Sequence, residues 1–195
     1  MSVLVGRAAP DFRAHAVLGD GTIVDDFSFS IESKGKYAVL FFYPNDFTFV
    51  CPSELIALDH RLQEFNKRGV EVIAVSVDSH HTHTAWRNTA INDGGIGEVG
   101  YPLVADATHS ISRAYGIETP DGEVAYRATF LIDTEGVVRH QVVNDRPLGR
   151  NVDELLRMVD ALQFHEEHGE VCPAGWKEGD MAMKETPQSV ASYLT

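Results

Sequence analysis

Tyr37-Ala-Val-Leu-Phe-Phe-Tyr43 is the longest uninterrupted apolar run in the chain. It falls far short of the ~20 residues that a membrane-spanning helix requires. Rich in aromatics and without polar alternation, it has the pattern of a strand buried on both faces. Such a strand belongs at the centre of a parallel sheet covered by helices. Downstream, Leu55, Leu58, Leu62 and Phe65 recur at helical spacing, Gly69 is placed to end that helix, and Val70 to Val77 repeats the buried-strand pattern. The predicted unit is βαβ, and the fold class is α/β.

A weaker helical pattern covers Thr82 to Ile91, followed by a Gly-rich loop, a short strand at Tyr101 to Val104 and a helix near His109 to Tyr115. Pro120-Asp121-Gly122 and Thr134-Glu135-Gly136 are turn signals around a strand from Val124 to Ile132, and Val137 to Val143 completes an antiparallel pair. Asn151 and Glu154 are spaced to cap a helix with the apolar stripe Val152, Leu155, Leu156, Val159 and Leu162. Beyond Gln163 the periodicity stops, and the polar remainder needs something to pack on to be ordered. The expected organisation is one domain over residues 1–163 and an extension over 164–195, without repeats.

Sixteen Lys and Arg against 29 Asp and Glu leave a net charge of −13. That charge opposes nucleic acid and anionic lipid, so neither is an expected partner. The N-terminal residues show no basic segment followed by an apolar stretch, and a cytoplasmic location is expected. Two cysteines in 195 residues are too few for a disulfide framework. In a reducing compartment such thiols are more often buried, catalytic or redox-active. Function is therefore sought at Cys51 and Cys172.

The segment Phe42-Tyr-Pro-Asn-Asp-Phe-Thr-Phe-Val-Cys51-Pro-Ser-Glu54 joins the first buried strand to its helix. Pro52 suits a first helical turn, which puts Cys51 at or beside the N-cap with its sulfur toward the helix's positive end, where the nucleophilic thiolate is favoured. A small buried cysteine at a helix start is the alternative. Ionisation alone speeds attack by a free thiol only about 30-fold, and part of that is lost as nucleophilicity falls. The leaving atom must be stabilised too, which a hydroxyl and a fixed cation near the sulfur could do. Thr48, three residues before Cys51, can supply the hydroxyl, although a loop Thr commonly bonds its own backbone. Arg127 interrupts an otherwise apolar strand and is the candidate cation. Buried, it requires anionic partners such as a thiolate and a carboxylate; otherwise it points to solvent from an edge strand. Glu54, one turn into the helix, and Arg150, before the final helix, either complete a charge network with it or are solvated surface charges.

Two segments resemble a known family. Tyr43-Pro-Asn-Asp-Phe-Thr-Phe-Val-Cys51-Pro-Ser-Glu54 resembles the active-site signature of the typical 2-Cys peroxiredoxins, in which Pro, Thr and Cys recur as P-x-x-x-T-x-x-C. His168-Gly-Glu-Val-Cys172-Pro-Ala-Gly-Trp176 resembles their resolving-cysteine segment, and similarity runs from about Val5 to Trp176. The resemblance implies a thioredoxin-like fold, a central mixed β-sheet flanked by helices with a C-terminal extension. It implies reduction of hydrogen peroxide and organic hydroperoxides without cofactor or metal. In that likeness Cys51 is the peroxidatic cysteine, oxidised to a sulfenic acid, and Cys172 from the partner subunit is the resolving cysteine that condenses with it. Thr48 would hydrogen-bond the peroxide, Pro44 shield the sulfenate, Arg127 stabilise thiolate and transition state, and Glu54 and Arg150 hold the arginine. Thioredoxin or a flavoprotein disulfide reductase would restore the thiols. Homodimers would pair head to tail and close into a ring of five dimers, with Thr82 where the family places its dimer–dimer contact. A secondary chaperone role of the overoxidised protein also fits. Ser53 stands where Thr usually follows Cys-Pro, and Asn45 replaces a more common apolar residue; neither removes a catalytic group. Gly94-Gly-Ile-Gly97 and Tyr193-Leu194 are similar to the two motifs that accompany sensitivity to overoxidation, with Leu194 where the family normally has Phe.

A thioredoxin-fold disulfide exchanger is the rival class, but it typically carries Cys-x-x-Cys, and residue 54 is Glu. Nine histidines invite a metal site. His80, His81 and His83 cluster at a strand end, and His165 and His168 precede Cys172, but the sequence places no fourth zinc ligand. Solvated or helix-capping histidines are the expectation. Trp86 and Trp176 are expected to pack, Trp176 anchoring the resolving segment to the partner.

Overall fold

A computed structural model describes residues 3–195. Its elements run β1 (Arg13–Val17), β2 (Ile23–Ser28), α1 (Phe29–Glu32), β3 (Tyr37–Phe42), α2 (Cys51–His60), α3 (Leu62–Lys67), β4 (Val70–Ser76), α4 (His80–Asn88), β5 (Leu103–Ala105), α5 (Ser110–Ala114), β6 (Arg127–Ile132), β7 (Val138–Asn144), α6 (Val152–His168) and α7 (Pro187–Leu194). The chain divides into two compact units, Met1–Arg150 and Asn151–Thr195. The boundary expected between 163 and 164 falls inside α6, which is one continuous helix and belongs whole to the second unit.

All seven strands lie in one sheet of the first unit, in the order β2-β1-β5-β4-β3-β6-β7. The apolar run is β3, an interior strand buried as its composition requires. Its two neighbours differ in direction: β4 runs parallel to it and β6 antiparallel, so the sheet is mixed rather than parallel. Alternate β3 residues face opposite sides. Leu40 and Phe42 join Ile73, Val75, Phe130 and Tyr115 in one core cluster, where Phe42 meets Phe130 edge-on at 5.8 Å between centroids.

The helix after the active-site loop breaks at Arg61 into α2 and α3, and Gly69, at φ +67, follows α3 as the left-handed residue that ends it. β6 begins at Arg127, three residues later than the pattern suggests. Val124 to Tyr126 are drawn aside: Thr119 and Tyr126 donate to the carbonyls of Val124 and Ile117, and Glu118 bridges Ala125. The pair β1/β2 carries no clear alternation in sequence. It is an edge hairpin whose outer strand exposes Asp25 and Asp26, charges that discourage edge-to-edge pairing.

In the second unit Asn151 caps α6, its Oδ1 accepting from the backbone N–H groups of Asp153 at 2.9 Å and Glu154 at 3.3 Å. The Glu154 carboxylate accepts from Arg157 Nε and Nη2. α6 also continues five residues past Gln163 (168 − 163). Its end is secured by histidines: His165 Nδ1 lies 2.8 Å from the Glu170 carbonyl, and His168 Nδ1 lies 3.1 Å from that of Phe164. The remainder, expected to lack intrinsic order, contains the 171–183 loop and α7, capped by Thr186 Oγ1 accepting from Ser189 N–H at 3.2 Å. No helix among the described residues is long and apolar enough to cross a membrane.

Candidate active site

Cys51 is the first residue of α2, with Val50 at the N-cap and Pro52 in the first turn. Its side chain is fully buried. The loop from Pro44 to Val50 lifts off the end of β3 and brings the sulfur to the floor of a cavity of about 540 Å³, lined by Pro44, Thr48, Phe49, Val124, Arg127 and Arg146 among others.

Arg127 reaches that sulfur from the first position of β6. Its Nη1 donates to Cys51 Sγ at 3.3 Å and to Glu54 Oε2 at 2.8 Å, while Nε donates to the Arg146 carbonyl at 2.6 Å. Because β6 lies between β3 and β7, Arg127 is an interior residue, and its outward-pointing alternative is ruled out. Glu54 and Arg150 are likewise not surface charges: their side chains are 3% and 4% exposed. Arg150 grips both carboxylate oxygens, Nε to Oε1 at 2.9 Å and Nη2 to Oε2 at 2.9 Å, and its backbone N–H adds a third bond to Oε1 at 2.8 Å. Its remaining donor, Nη1, bonds the Ala128 carbonyl at 2.7 Å and Thr129 Oγ1 at 3.1 Å. The guanidinium carbon sits 3.4 Å over the Phe41 ring, a cation–π contact that compensates its burial.

Burial pushes the Glu54 carboxyl up, but the hydrogen bonds and charge of Arg150, then of Arg127, outweigh it and hold it below its usual value. Burial pulls the Arg150 guanidinium down, against the opposing pull of Glu54. Two guanidiniums and one carboxylate leave this buried network with one positive charge in excess, adjacent to the sulfur.

Thr48 takes the local bond expected of a loop hydroxyl: Oγ1 donates to the Asn45 carbonyl at 2.9 Å, and the side chain still lines the cavity. Behind the loop runs a chain of buried groups that the sequence did not announce. Tyr43 OH donates to Asp46 Oδ1 at 2.7 Å, Asp46 Oδ2 meets His83 Nδ1 at 2.7 Å, and His83 Nε2 lies 3.3 Å from the Val104 carbonyl. His83 is thus separated from His80 and His81, and it ties the loop to α4 and β5. The signal available was Asp46 beside an apolar strand end, a position that demands a partner. Phe47, also in the loop, sits at φ +51 with its ring 5.9 Å from that of Trp86. Trp86 Nε1 in turn donates to the Gly94 carbonyl at 2.8 Å. In the same loop Gly95 has no room for a side chain, since a Cβ would stand 1.9 Å from the Thr89 carbonyl oxygen.

Cys172 lies in the second unit, half-buried, with Sγ donating to the Ala161 carbonyl at 3.5 Å. Burial pushes its thiol up, and Arg157 pulls it partly back. Trp176 packs on Phe164 of its own chain, with 4.8 Å between ring centroids. Leu194 is 75% exposed at the end of α7.

Residues 5–141 match the model of the AhpC/TSA family, and residues 161–195 match that of the C-terminal domain of 1-Cys peroxiredoxin. Over 192 residues the chain is 55% identical to alkyl hydroperoxide reductase C of Helicobacter pylori, covering 98% of this chain and 96% of that protein. Over 191 residues it is 50% identical to peroxiredoxin-2 of Mus musculus, covering 98% and 95%. In structure it is similar to the reduced 2-Cys peroxiredoxin of Plasmodium vivax, with a TM-score of 0.95, 47% identity and 99% of each chain covered. A buried thiol opening a helix beneath a guanidinium, together with likeness over nearly the whole length to peroxiredoxins of distant organisms, leads to one conclusion: the chain belongs to the AhpC/TSA family of peroxiredoxins.

Proposed function

We propose that the protein reduces hydrogen peroxide and organic hydroperoxides by a two-cysteine cycle that starts at Cys51. The observation that carries this reading is the charge balance at the sulfur. Arg127 and Arg150 face a single carboxylate, Glu54, and the surplus cation lies 3.3 Å from Cys51 Sγ. A thiolate completes the balance. Charge that then moves from sulfur to oxygen stays within reach of fixed donors that need no reorganisation.

The thiolate attacks the distal oxygen of R–O–O–H. An S–O bond forms, the O–O bond breaks, and RO⁻ leaves and takes a proton to give ROH; sulfur is oxidised by two electrons and ends as the sulfenic acid. Thr48 Oγ1, its own proton held by Asn45, presents lone pairs to the cavity and can accept the peroxide O–H. Pro44 contributes a wall without an N–H group, which shields the sulfenate. Arg127 steadies thiolate and departing oxygen, while Glu54 and Arg150 position Arg127 without touching the peroxide.

Cys172 of the partner subunit then attacks the Cys51 sulfur, forming the S–S bond and releasing hydroxide, which is protonated to water. Thioredoxin or a flavoprotein disulfide reductase supplies the two electrons that reopen the disulfide. In the family likeness the chains pair as homodimers that close into a ring of five, and the cytoplasm is the location read from the sequence. Stopped-flow peroxide consumption tests the assignment: Cys51→Ser should be inert with any reductant, whereas Cys172→Ser should keep one fast oxidation and lose thioredoxin-linked recycling. Substantial thioredoxin-linked turnover by Cys51→Ser would overturn it. Non-reducing gels with mass spectrometry of oxidised protein should show covalent dimers joined by Cys51–Cys172 bonds, and an intramolecular bond would overturn the pairing.

A further inference from the structure

Cys172 is carried by a loop that folds on itself and on α6. Val171 and Met183 close it as an antiparallel bridge, with N–H to carbonyl distances of 2.7 and 3.0 Å. Within it Trp176 Nε1 donates to the Asp180 carbonyl at 3.1 Å, and Lys177 N–H donates to Asp180 Oδ2 at 2.9 Å. The Trp176 ring packs on Phe164, which is stacked on His168 at 4.3 Å.

Arg157 of α6 holds this loop by charge. Its Nη1 donates to the Trp176 carbonyl at 2.9 Å, while Nε and Nη2 each donate to one oxygen of Glu154 at 2.7 Å. The paired bonds to Glu154 fix the plane of the guanidinium and aim its third donor. Four residues further along the same face lies Ala161, whose carbonyl receives the Cys172 thiol at 3.5 Å. The sulfur is thereby stored as a donor, in the protonated form, whereas attack on a sulfenic acid requires a thiolate.

We propose that Arg157 is a positioning residue for the resolving thiol: by clamping the Trp176 carbonyl it keeps residues 171–183 shut with Cys172 in its seat on α6, and opening of this loop sets how fast the thiol becomes available. The inference rests on the resolving role proposed above for Cys172. The clamp grips the backbone four residues past the sulfur (176 − 172), beyond Pro173, so it restrains the turn rather than the thiol itself. Clamp and charge therefore have separate signatures. Loop opening multiplies thiol reactivity by the same factor at every pH, whereas removing a nearby positive charge shifts the pH midpoint and leaves the alkaline plateau in place.

The test is the pH profile of Cys172 alkylation by iodoacetamide in the Cys51→Ser background, with circular dichroism confirming the fold of each variant. Arg157→Gln should raise the alkaline plateau about tenfold, the scale of one lost charge-assisted hydrogen bond. Glu154→Gln, which frees the fork but keeps the cation, should raise it about threefold on the same scale, and Arg157→Lys, with one donor and its charge, should fall between Arg157→Gln and the parent. A shifted midpoint with an unchanged plateau, or no change in either, would overturn the proposal. If Arg157→Gln does not fold, an unaltered plateau in Glu154→Gln overturns it alone. Alkylation reads the loop and not the peroxidase cycle. A failure of the resolving role would therefore show instead as oxidised protein without Cys51–Cys172 disulfide, while the plateau effect persisted.

Discussion

At Cys51 the sulfur accepts a hydrogen bond from a guanidinium at 3.3 Å, and at Cys172 it donates one to a helix carbonyl at 3.5 Å. The first is fully buried at the positive end of α2, beside a network with a surplus cation. The second is half-buried in a loop on α6, where burial pushes the thiol up. Identical side chains thus meet opposite partners: one sulfur faces a cationic donor, the other a carbonyl acceptor. Burial separates them in degree. The sign of the group facing the sulfur separates them in kind.

The largest effect should come from breaking the comparison at its root. Cys51→Ser is expected to abolish peroxide reduction, against a single retained turnover in Cys172→Ser, as measured by stopped flow. Next, Arg127→Gln removes the donor at the sulfur and should slow Cys51 oxidation by about two to three orders of magnitude, as for loss of one preorganised oxyanion donor. Competition for peroxide against a reference peroxidase gives the rate constant. A tenfold or smaller loss would mean that the helix end, rather than the arginine, prepares the thiolate.

Glu54→Gln sharpens the comparison through stability. It strands two buried guanidiniums and should cost about 3 kcal/mol in urea unfolding. The folded Glu54 carboxyl titrates below its usual 4.5. Its contribution is therefore complete above that pH and is lost as pH falls through the lower, folded value. The wild-type protein should lose stability below pH 4.5 more steeply than Glu54→Gln. Parallel profiles would show that Glu54 is not the linked group.

The smallest expected effect concerns how long Cys51 waits as sulfenic acid. If the Gly94–Gly97 and Tyr193 motifs act as the family resemblance implies, they slow unwinding of the first turn of α2. Leu194 lacks the ring of a Phe, a difference on the order of 1 kcal/mol of packing. Leu194→Phe should raise the Cys51 sulfinic fraction about fivefold under excess peroxide, and deletion from Tyr193 onward should lower it. Mass spectrometry of Cys51 under turnover decides. If neither change alters that fraction, the tail plays no part in the choice between resolution and overoxidation.

Much of the first unit was legible because its signals are local. The β3 run, the helical spacing of Leu55, Leu58 and Phe65, and Pro52 after Cys51 each report conformation within a few residues. What was not legible is what strands do once side by side. Nothing in Tyr37–Phe42 says that β6 would pair with it antiparallel. Nothing in Val124–Tyr126 says that these residues would bond back toward Ile117 and delay the strand. The edge pair β1/β2 was missed because a half-exposed edge strand tolerates polar residues at most positions.

The residue types at the site, and the order in which they occur, were determined by sequence: a cysteine at a helix start, a threonine three residues before it, an arginine within an apolar strand. Only the tertiary structure decided that Glu54 and Arg150 are buried partners of Arg127, that His83 belongs with Asp46, and that Thr48 spends its proton on its own loop. The physical reason lies in where the energy of a charged group comes from. Helix and strand preferences are settled by neighbours along the chain. The cost of burying a charge is offset only by groups far away in sequence, 73 positions for Glu54 and Arg127 and 96 for Glu54 and Arg150, whose meeting is fixed by the packed sheet.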